Sequence, residues 1–204
     1  MLTELSIHDF FTKMAGKEAP GGGSGAAMTG LNGVCLLEMA VKVSKVSLTE
    51  TEFSGALDEL TRLHQELENL INADAEVLAR ALPALTRVGP DGSQEEWNEI
   101  LLEAVHIPFE IAQACIDALV VAKQMKDKLH QNVVCDATFG AMSCNTALQG
   151  AVLLAELNIS LLRGDAELME KLKIDMMNFA EKSDMLIDAI SVSYTHLTLP
   201  TTPY

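Results

Sequence analysis

Apolar residues recur every three or four positions along most of this chain, which is the spacing of one face of an α-helix. The clearest such stripe begins at Leu60 and reaches Ala81. No stretch alternates apolar and polar residues as a half-buried strand does, and no segment is repeated along the sequence. The pattern therefore predicts an all-α protein.

Capping residues and turn residues divide this pattern into about six helices. Ser6 caps the first, Thr49 or Thr51 begins the third, and VGPDGS at 88–93 is expected to form a turn. Pro108 falls inside the fourth helix and is expected to kink or break it. The expected helices cover, to within a few residues, 7–15, 24–47, 51–81, 93–129, 136–162 and 166–190.

The apolar residues are of the kinds that helices favour. The 204-residue chain is 49% hydrophobic but only 4% aromatic, and Leu, Ala, Val, Ile and Met supply most of the apolar surface. This composition favours helices packed on helices over sheets. A chain of this length can build one substantial core. We therefore expect a single, mostly antiparallel helical bundle.

The last residues, 192–204, differ in composition from the rest of the chain. They read VSYTHLTLPTTPY, with several Thr, two Pro, no acidic residue and no helical spacing. The same peptide results when a common transposon sequencing adaptor is translated in one frame. We expect residues 1–191 to form the single native domain and residues 192–204 to be a non-native tail that packs poorly.

The charge balance narrows the classes of partner. With 14 basic and 29 acidic residues, the net charge is −15. A general nucleic-acid binder and a protein that docks on an anionic membrane both need a basic face, so both classes are disfavoured. The four cysteines show no CxxC spacing and are expected to be free thiols. No signal peptide and no uncharged membrane-spanning run is visible, which predicts a cytoplasmic protein.

Two polar residues occupy positions where the helical spacing would place an apolar side chain. Asp74 falls on the stripe of the third helix, and Asn158 falls on the stripe of the fifth. A buried carboxylate or amide is costly unless it is paired. Each residue is therefore either a satisfied contact between helices or a functional group.

The segment APGGGSGAA at 19–27 places a very flexible backbone at the entry to a very apolar helix. Gly21, Gly22 and Gly23 precede Ser24, which is the expected N-cap. Backbone N–H groups at such a helix start can bind an anion, or the glycines can form a tight turn that permits close packing. The segment is not a Walker A loop, because no Lys-Ser or Lys-Thr closes it, and no strand precedes it as in a Rossmann turn.

Asp136 opens the fifth helix, directly after HQNVVC at 130–135. An acidic residue at this place stabilises the start of a helix, either as an N-cap or as a first-turn acid. A carboxylate can also transfer protons in catalysis. Both interpretations stay open on the local sequence alone.

Taken in order along the chain, these segments resemble those of the cyclodeaminase/cyclohydrolase family. APGGGSGAA resembles the family's Pro-x-Pro-Gly-Gly-Gly-Ser opening, with Glu18 in place of the first Pro. The resemblance covers nearly the whole chain before the tail. The later matches are Asp74-Ala75, Ile107-Pro108-Phe109, Asn132 and Asp136 in HQNVVCD, and Gly150, Ala151 and Asn158 in GAVLLAELN.

Three further positions, all in the later motifs, depart from the family pattern. His130 and Leu154 each replace the first Asn of an Asn pair. Leu78 replaces the aromatic residue that follows Asp-Ala. These replacements fall in the motifs that would form the site, so they concern the site more than the fold.

The resemblance implies an enzyme of folate one-carbon metabolism that acts on a C–N bond of a tetrahydrofolate derivative. It implies 5-formiminotetrahydrofolate cyclodeaminase, which releases ammonia and forms 5,10-methenyltetrahydrofolate, with 5,10-methenyltetrahydrofolate cyclohydrolase as the alternative. Both reactions pass through a tetrahedral carbon and need proton transfer. Carried onto this sequence, the catalytic residues are Asp136 and Asp74, and the substrate-binding residues are Gly21, Gly22, Gly23, Ser24, Asn132 and Asn158.

The resemblance also implies the partners. The ligand is a tetrahydrofolate derivative, including polyglutamylated forms, and neither a metal nor a cofactor beyond this substrate is expected. Family members commonly form homodimers through helix packing, and a formiminotransferase is the expected partner enzyme. The alternative from another class is a non-catalytic folate- or anion-binding helical module. Close helix approach, within the chain or between chains, would be permitted by Gly140, Ala141, Gly150 and Ala151.

Overall fold

The computed structural model describes residues 1–87 and 94–191. Within these ranges the only regular secondary structure is helical, which confirms the all-α prediction. Short 3₁₀ turns at Leu2–Glu4, Lys45–Ser47 and Gln131–Val133 lie between longer elements. The α-helices are α1 (Ile7–Met14), α2 (Gly22–Val43), α3 (Glu50–Arg87), α4 (Gln94–Met125), α5 (Val134–Leu161) and α6 (Ala166–Ser191).

The helices pack mostly antiparallel, as expected. The start of α2 contacts the middle of α3, where Ser24 bonds Asp74, and the middle of α2 lies beside the earlier part of α3, where the Cys35 sulfur is 3.7 Å from His64 Nδ1. The same reversal links α5 to α4 and to α6. From α2 onward, helices that follow one another in the chain therefore pack side by side, and α2 lies between α3 and α5.

Close packing of α2 on α5 depends on glycine. A Cβ built on Gly33 would lie 2.6 Å from the carbonyl oxygen of Gly140, and a Cβ on Gly140 would lie 2.8 Å from that of Gly33. Both distances are too short for a real side chain. The two helices can therefore come this close only because neither residue carries a Cβ. The small residues of α5 therefore permit close approach within the chain, since Ala141 and Ala151 are also fully buried.

Several helix boundaries differ from the predicted ones. The N-cap of α2 is Gly21, so the prediction of Ser24 as N-cap is wrong. The third helix extends past Ala81 to Arg87. Thr49 does cap it, because the Glu52 amide donates to Thr49 Oγ1 at 3.3 Å. The turn predicted at 88–93 and the tail at 192–204 lie outside the described residues.

Pro108 does not end the fourth helix. α4 continues through it as one element, so the expectation of a break is wrong. A proline has no N–H and therefore leaves the carbonyl four residues earlier, that of Ala104, without its helical donor. The side chain of Asn158 donates to that oxygen at 2.6 Å. A contact from a distant helix thus compensates the backbone bond that Pro108 removes.

Two helices are long and apolar enough to cross a membrane by length and composition alone, namely α2 and Trp97–Met125 of α4. In this fold they are core helices. Val34 of α2 and both Ile111 and Leu119 of α4 are fully buried among the other helices. A central helix of a bundle has the same apolar composition, so the test alone does not indicate a membrane protein.

Candidate functional site at the start of α2

The carboxylate of Asp74 in α3 binds the first turn of α2. Asp74 Oδ2 accepts a hydrogen bond from the Ser24 amide at 2.7 Å and lies 2.9 Å from the Ser24 hydroxyl. The same hydroxyl lies 2.9 Å from the carbonyl oxygen of Ile71. A hydroxyl has one proton and can donate to only one of these acceptors at a time. When the Ser24 hydroxyl donates to the Ile71 carbonyl, it can only accept a hydrogen bond from Asp74. The Asp74 carboxyl group must then carry a proton.

Gly23 is required for this contact. A Cβ at position 23 would lie 1.9 Å from Asp74 Oδ1 and 2.4 Å from its carboxyl carbon. No side chain fits at that distance, so the third glycine of the sequence motif permits the carboxylate to approach the helix backbone. Asp74 thereby caps α2 from another helix, and Ser24 lies inside the first turn rather than before it.

Burial shifts the protonation of this carboxyl group. Loss of solvent raises the pKa of Asp74 above its ordinary value, and the hydrogen bonds from the Ser24 side chain and amide offset that effect only in part. The group therefore keeps its proton to a higher pH than an exposed aspartate does. A carboxyl group poised in this way can both give and take a proton.

Two further amides at the start of α2 have no acceptor. The first helical backbone bond runs from the Gly25 amide to the Gly21 carbonyl, at 3.2 Å. The Gly22 and Gly23 N–H groups donate to no group within 1–87 and 94–191. Unpaired amides at a helix start carry partial positive charge and can bind an anion or a carbonyl oxygen.

Two of the departures from the family pattern border these amides. A Cβ on Gly21 would lie 2.7 Å from Leu78 Cδ2, and one on Gly22 would lie 3.2 Å from Leu154 Cδ2. Leu78 comes from α3 and Leu154 from α5. The glycine turn is therefore flanked by two leucine side chains, and whatever binds its N–H groups contacts an apolar wall on either side.

Asn158 belongs to the same end of the bundle. It lies one helical turn after Leu154 on α5, on the same face of the helix. Its Nδ2 atom donates to the Ala104 carbonyl of α4, as described above. Of the two interpretations left open for Asn158, the structure shows the contact between helices, and the role in substrate binding stays a prediction. The Asn158 oxygen atom has no donor within the described residues.

Asp136 and Asn132 lie at the other end of α5. Asp136 is in the first turn of that helix and is half-buried, as the first-turn interpretation predicts. Asn132 is exposed, and its backbone N–H donates to His130 Nδ1 at 3.3 Å. At 1.5 Å per residue, Asp136 is roughly 33 Å from Asn158 along the helix. One chain therefore brings together Asp74, the glycine turn and Asn158, but it does not add Asp136 or Asn132 to them.

An apolar stripe on the surface of α5 joins the two ends. α5 is apolar on all sides, which is typical of a helix that is covered all round. In the single chain, however, large side chains along one face are more than half exposed. They form what we call the α5 stripe: Phe139 at 57%, Met142 at 54%, Leu153 at 66% and Leu157 at 57%.

No group of three or more His, Cys, Asp or Glu side chains within the described ranges is arranged to hold a metal ion. The four cysteines are free, as predicted, and two of them, Cys115 and Cys144, are fully buried where α2, α4 and α5 meet. The contact with the Cys144 side chain, together with burial, raises the pKa of Cys115, so this thiol stays protonated.

The comparison with protein families decides the classification. The model of the formiminotransferase-cyclodeaminase family matches residues 6–178, which include the glycine turn, Asp74, Asp136 and Asn158. The chain belongs to this family. The family resemblance in the sequence is thereby confirmed.

Two individual proteins are similar to the chain. The methenyltetrahydrofolate cyclohydrolase of Methylorubrum extorquens is 26% identical over 163 residues, which cover 76% of this chain and 78% of that protein. The crystal structure of formiminotetrahydrofolate cyclodeaminase from Thermotoga maritima superposes with a TM-score of 0.77, covering 93% of each chain at 19% identity. The similarity to the Thermotoga maritima structure confirms the fold, whereas the similarity to the Methylorubrum extorquens protein is one of sequence.

Sequence reasoning missed two partners in this site. Gly23 was grouped with its neighbours as flexible, although its particular role is to admit Asp74. The partner of Asn158 could have been found, because every proline inside a helix frees the carbonyl four residues before it. A polar residue on an apolar stripe elsewhere in the chain is then a candidate donor for that carbonyl.

Proposed function

We propose that this chain converts 5-formiminotetrahydrofolate to 5,10-methenyltetrahydrofolate with release of ammonia. The chain is an enzyme of the folate cyclodeaminase and cyclohydrolase type, as its family and relatives indicate. Hydrolysis of 5,10-methenyltetrahydrofolate is the second candidate, and the curated relative in Methylorubrum extorquens favours it. The two reactions share a tetrahedral carbon joined to N5 and N10.

The observation that carries the proposal is the buried Asp74 carboxyl group beside unpaired backbone amides. In the cyclodeaminase reaction N10 bonds to the formimino carbon, N10 loses a proton, and the former imino nitrogen must gain protons before it leaves as ammonia. A carboxyl group with a raised pKa can perform such transfers near neutral pH. The Gly22 and Gly23 amides supply donors to a carbonyl or anionic group of the folate.

The separation of Asp136 from Asn158 along α5 points to a site completed by a second subunit. A twofold axis that crosses the middle of the α5 stripe pairs two antiparallel α5 helices, so that Phe139 of the partner subunit faces Leu157. The partner subunit's Asp136, three residues before Phe139, then faces Ser160, three residues after Leu157. That position is within about one helical turn of Asn158.

The homodimer thus unites all the residues that the family pattern assigns. In this arrangement Asp74 and the partner subunit's Asp136 are the catalytic carboxyl groups. Gly21, Gly22, Gly23, Ser24 and Asn158 bind the folate from one subunit, and the partner subunit's Asn132 does so from the other. The exposed apolar side chains of the α5 stripe become buried, which supplies the driving force for association.

The remaining partners follow from the substrate. A formiminotransferase would deliver the formimino folate, including polyglutamylated forms, to the site. The reaction requires no cofactor beyond the folate, because it involves only formation of the bond from N10 to carbon, cleavage of the bond from that carbon to the departing ammonia nitrogen, and proton transfer. We place the enzyme in the cytoplasm, consistent with a net charge of −15 and with central helices that are packed in the core.

The test is turnover of 5-formiminotetrahydrofolate and of 5,10-methenyltetrahydrofolate by the purified chain ending near Ile190, monitored through methenyl absorbance. Appearance of methenyl from the formimino substrate supports the cyclodeaminase. Loss of added methenyl faster than in the buffer blank supports the cyclohydrolase instead. If a folded chain binds folate but changes neither signal, the non-catalytic binding module replaces both.

A further inference from the structure

We propose that Pro108 is a positioning residue that orients the Asn158 amide, so that Asn158 Oδ1 accepts a hydrogen bond from an N–H group of the folate. This inference rests on the proposed function, because it concerns the same ligand. It assigns a role to a proline that lies two helical elements away from the glycine turn in sequence. Its evidence is the contact between α4 and α5.

Pro108 creates the acceptor that holds Asn158. In an unbroken helix the carbonyl of Ala104 would accept from the amide of residue 108, but proline has none. Asn158 Nδ2 donates to this oxygen at 2.6 Å, across 54 residues of sequence. A carbonyl oxygen can only accept, so the atom of Asn158 that faces it must be the nitrogen. The orientation of the amide is therefore fixed by chemistry.

The other end of the amide is left available. Asn158 Oδ1 has no donor within the described residues, and no side-chain oxygen there is both buried and unpaired. The oxygen is therefore accessible. An amide held by its nitrogen presents a pure acceptor to a ligand, which can be met only by an N–H or O–H group.

This acceptor lies at the same end of the bundle as the unpaired glycine donors. Leu154, one turn before Asn158, borders Gly22, whose amide has no acceptor within the described chain. This end of the bundle therefore offers backbone donors and one side-chain acceptor, separated by about one turn of α5. The edge of a pterin ring carries a carbonyl oxygen beside N–H groups and matches that arrangement. We assign the pterin N–H edge to Asn158 and an acceptor atom of the folate to the glycine amides.

The coupling between Pro108 and Asn158 separates the structural role from the binding role. Pro108→Ala restores a backbone donor to the Ala104 carbonyl. In the presence of Pro108, Asn158→Leu leaves the Ala104 carbonyl without a donor. When Pro108 is replaced by alanine, the backbone N–H of residue 108 donates to that carbonyl instead. Urea unfolding is measured on the wild type, both single variants and the double variant. Asn158→Leu should lower the folding equilibrium constant about tenfold when Pro108 is present, and much less when alanine replaces Pro108.

Steady-state kinetics on the same proteins test the binding role. Asn158→Leu should raise KM about tenfold or more even beside alanine, where stability is restored, because the acceptor is gone. Asn158→Asp beside alanine keeps an acceptor oxygen and should have a lower KM than Asn158→Leu in that background. Pro108→Ala alone should raise KM with less effect on kcat, because the amide is then free to rotate.

The outcomes separate cleanly. If Asn158→Leu returns to the wild-type KM once Pro108 is replaced, Asn158 acts only on stability and the proposal is overturned. Additive unfolding effects would overturn the coupling itself. If the wild type converts neither folate, the proposed function fails, and the Kd for 5,10-methenyltetrahydrofolate measured on the same variants replaces KM. Equal Kd values for Asn158→Leu and Asn158→Asp beside alanine would then overturn the inference.

Discussion

Replacing Gly23 with alanine perturbs the contact between α2 and α3 at its tightest point. The new methyl carbon would start 1.9 Å from Asp74 Oδ1, whereas ordinary contact begins at 3.4 Å, so either the carboxylate or the helix start must move. Either movement breaks the bonds of 2.7 and 2.9 Å that join Asp74 to Ser24. The buried carboxyl group is then left without its partners.

The size of the effect follows from the bonds lost. Hydrogen bonds to a charged group contribute about 1.5–3 kcal/mol each. Alanine in a helix is better than glycine by about 1 kcal/mol, which offsets part of the loss. We therefore expect Gly23→Ala to lower the free energy of unfolding by about 2–5 kcal/mol, with loss of folate turnover.

Gly25→Ala is the matched control, because it lies two residues further along the same helix. Its methyl carbon would meet Met14 at 3.5 and 3.6 Å, which is ordinary contact with a flexible side chain. This variant should be as stable as the wild type or slightly more stable. Urea unfolding of both variants provides the comparison. Equal stability of the two would refute the account of Gly23.

Two further predictions concern Asp74 and the α5 stripe. Because burial raises the pKa of Asp74 above 3.8, the stability that this group contributes is complete below about pH 4 and is lost as pH rises through the folded-state pKa. Relative to Asp74→Asn, the wild type should lose stability in urea unfolding as the pH is raised from about 4, and a relative gain would contradict this sign. Leu153→Glu should abolish the proposed dimer and leave a monomer with little turnover in light scattering and activity assays, whereas Val46→Glu, at a residue 89% exposed outside the stripe, should change neither. A dimeric, active Leu153→Glu variant would show that the interface lies elsewhere.

The fold could be predicted from the sequence because helix spacing is a local property. The stripe from Leu60 to Ala81 and the break in pattern near Gly164 locate helices without knowledge of their neighbours. The N-cap of α2 could not be placed in the same way, because the group that binds its first turn comes from Asp74, fifty residues later. The continuity of α4 at Pro108 has the same origin, since its compensating donor is Asn158.

The candidate site could be predicted in its parts but not in its assembly. Asp74, the glycines and Asn158 were recognised from the sequence, and the fold does bring them to one end of the bundle. The separation of Asp136 from Asn158 was already implied, because a helix expected at 136–162 holds its ends far apart. What no single chain can show is the second copy that we propose covers the exposed α5 stripe.

Subunit complementation tests the composite site most directly. Asp74→Asn and Asp136→Asn are purified separately, each is assayed alone, and the two are then mixed under conditions that allow subunits to exchange. If each site takes Asp74 from one subunit and Asp136 from the other, a hybrid dimer has one intact site, and an equimolar mixture should recover about one quarter of wild-type turnover from two inactive parents. A mixture that stays inactive after exchange has been verified, or an Asp136→Asn parent with full activity, would contradict the account.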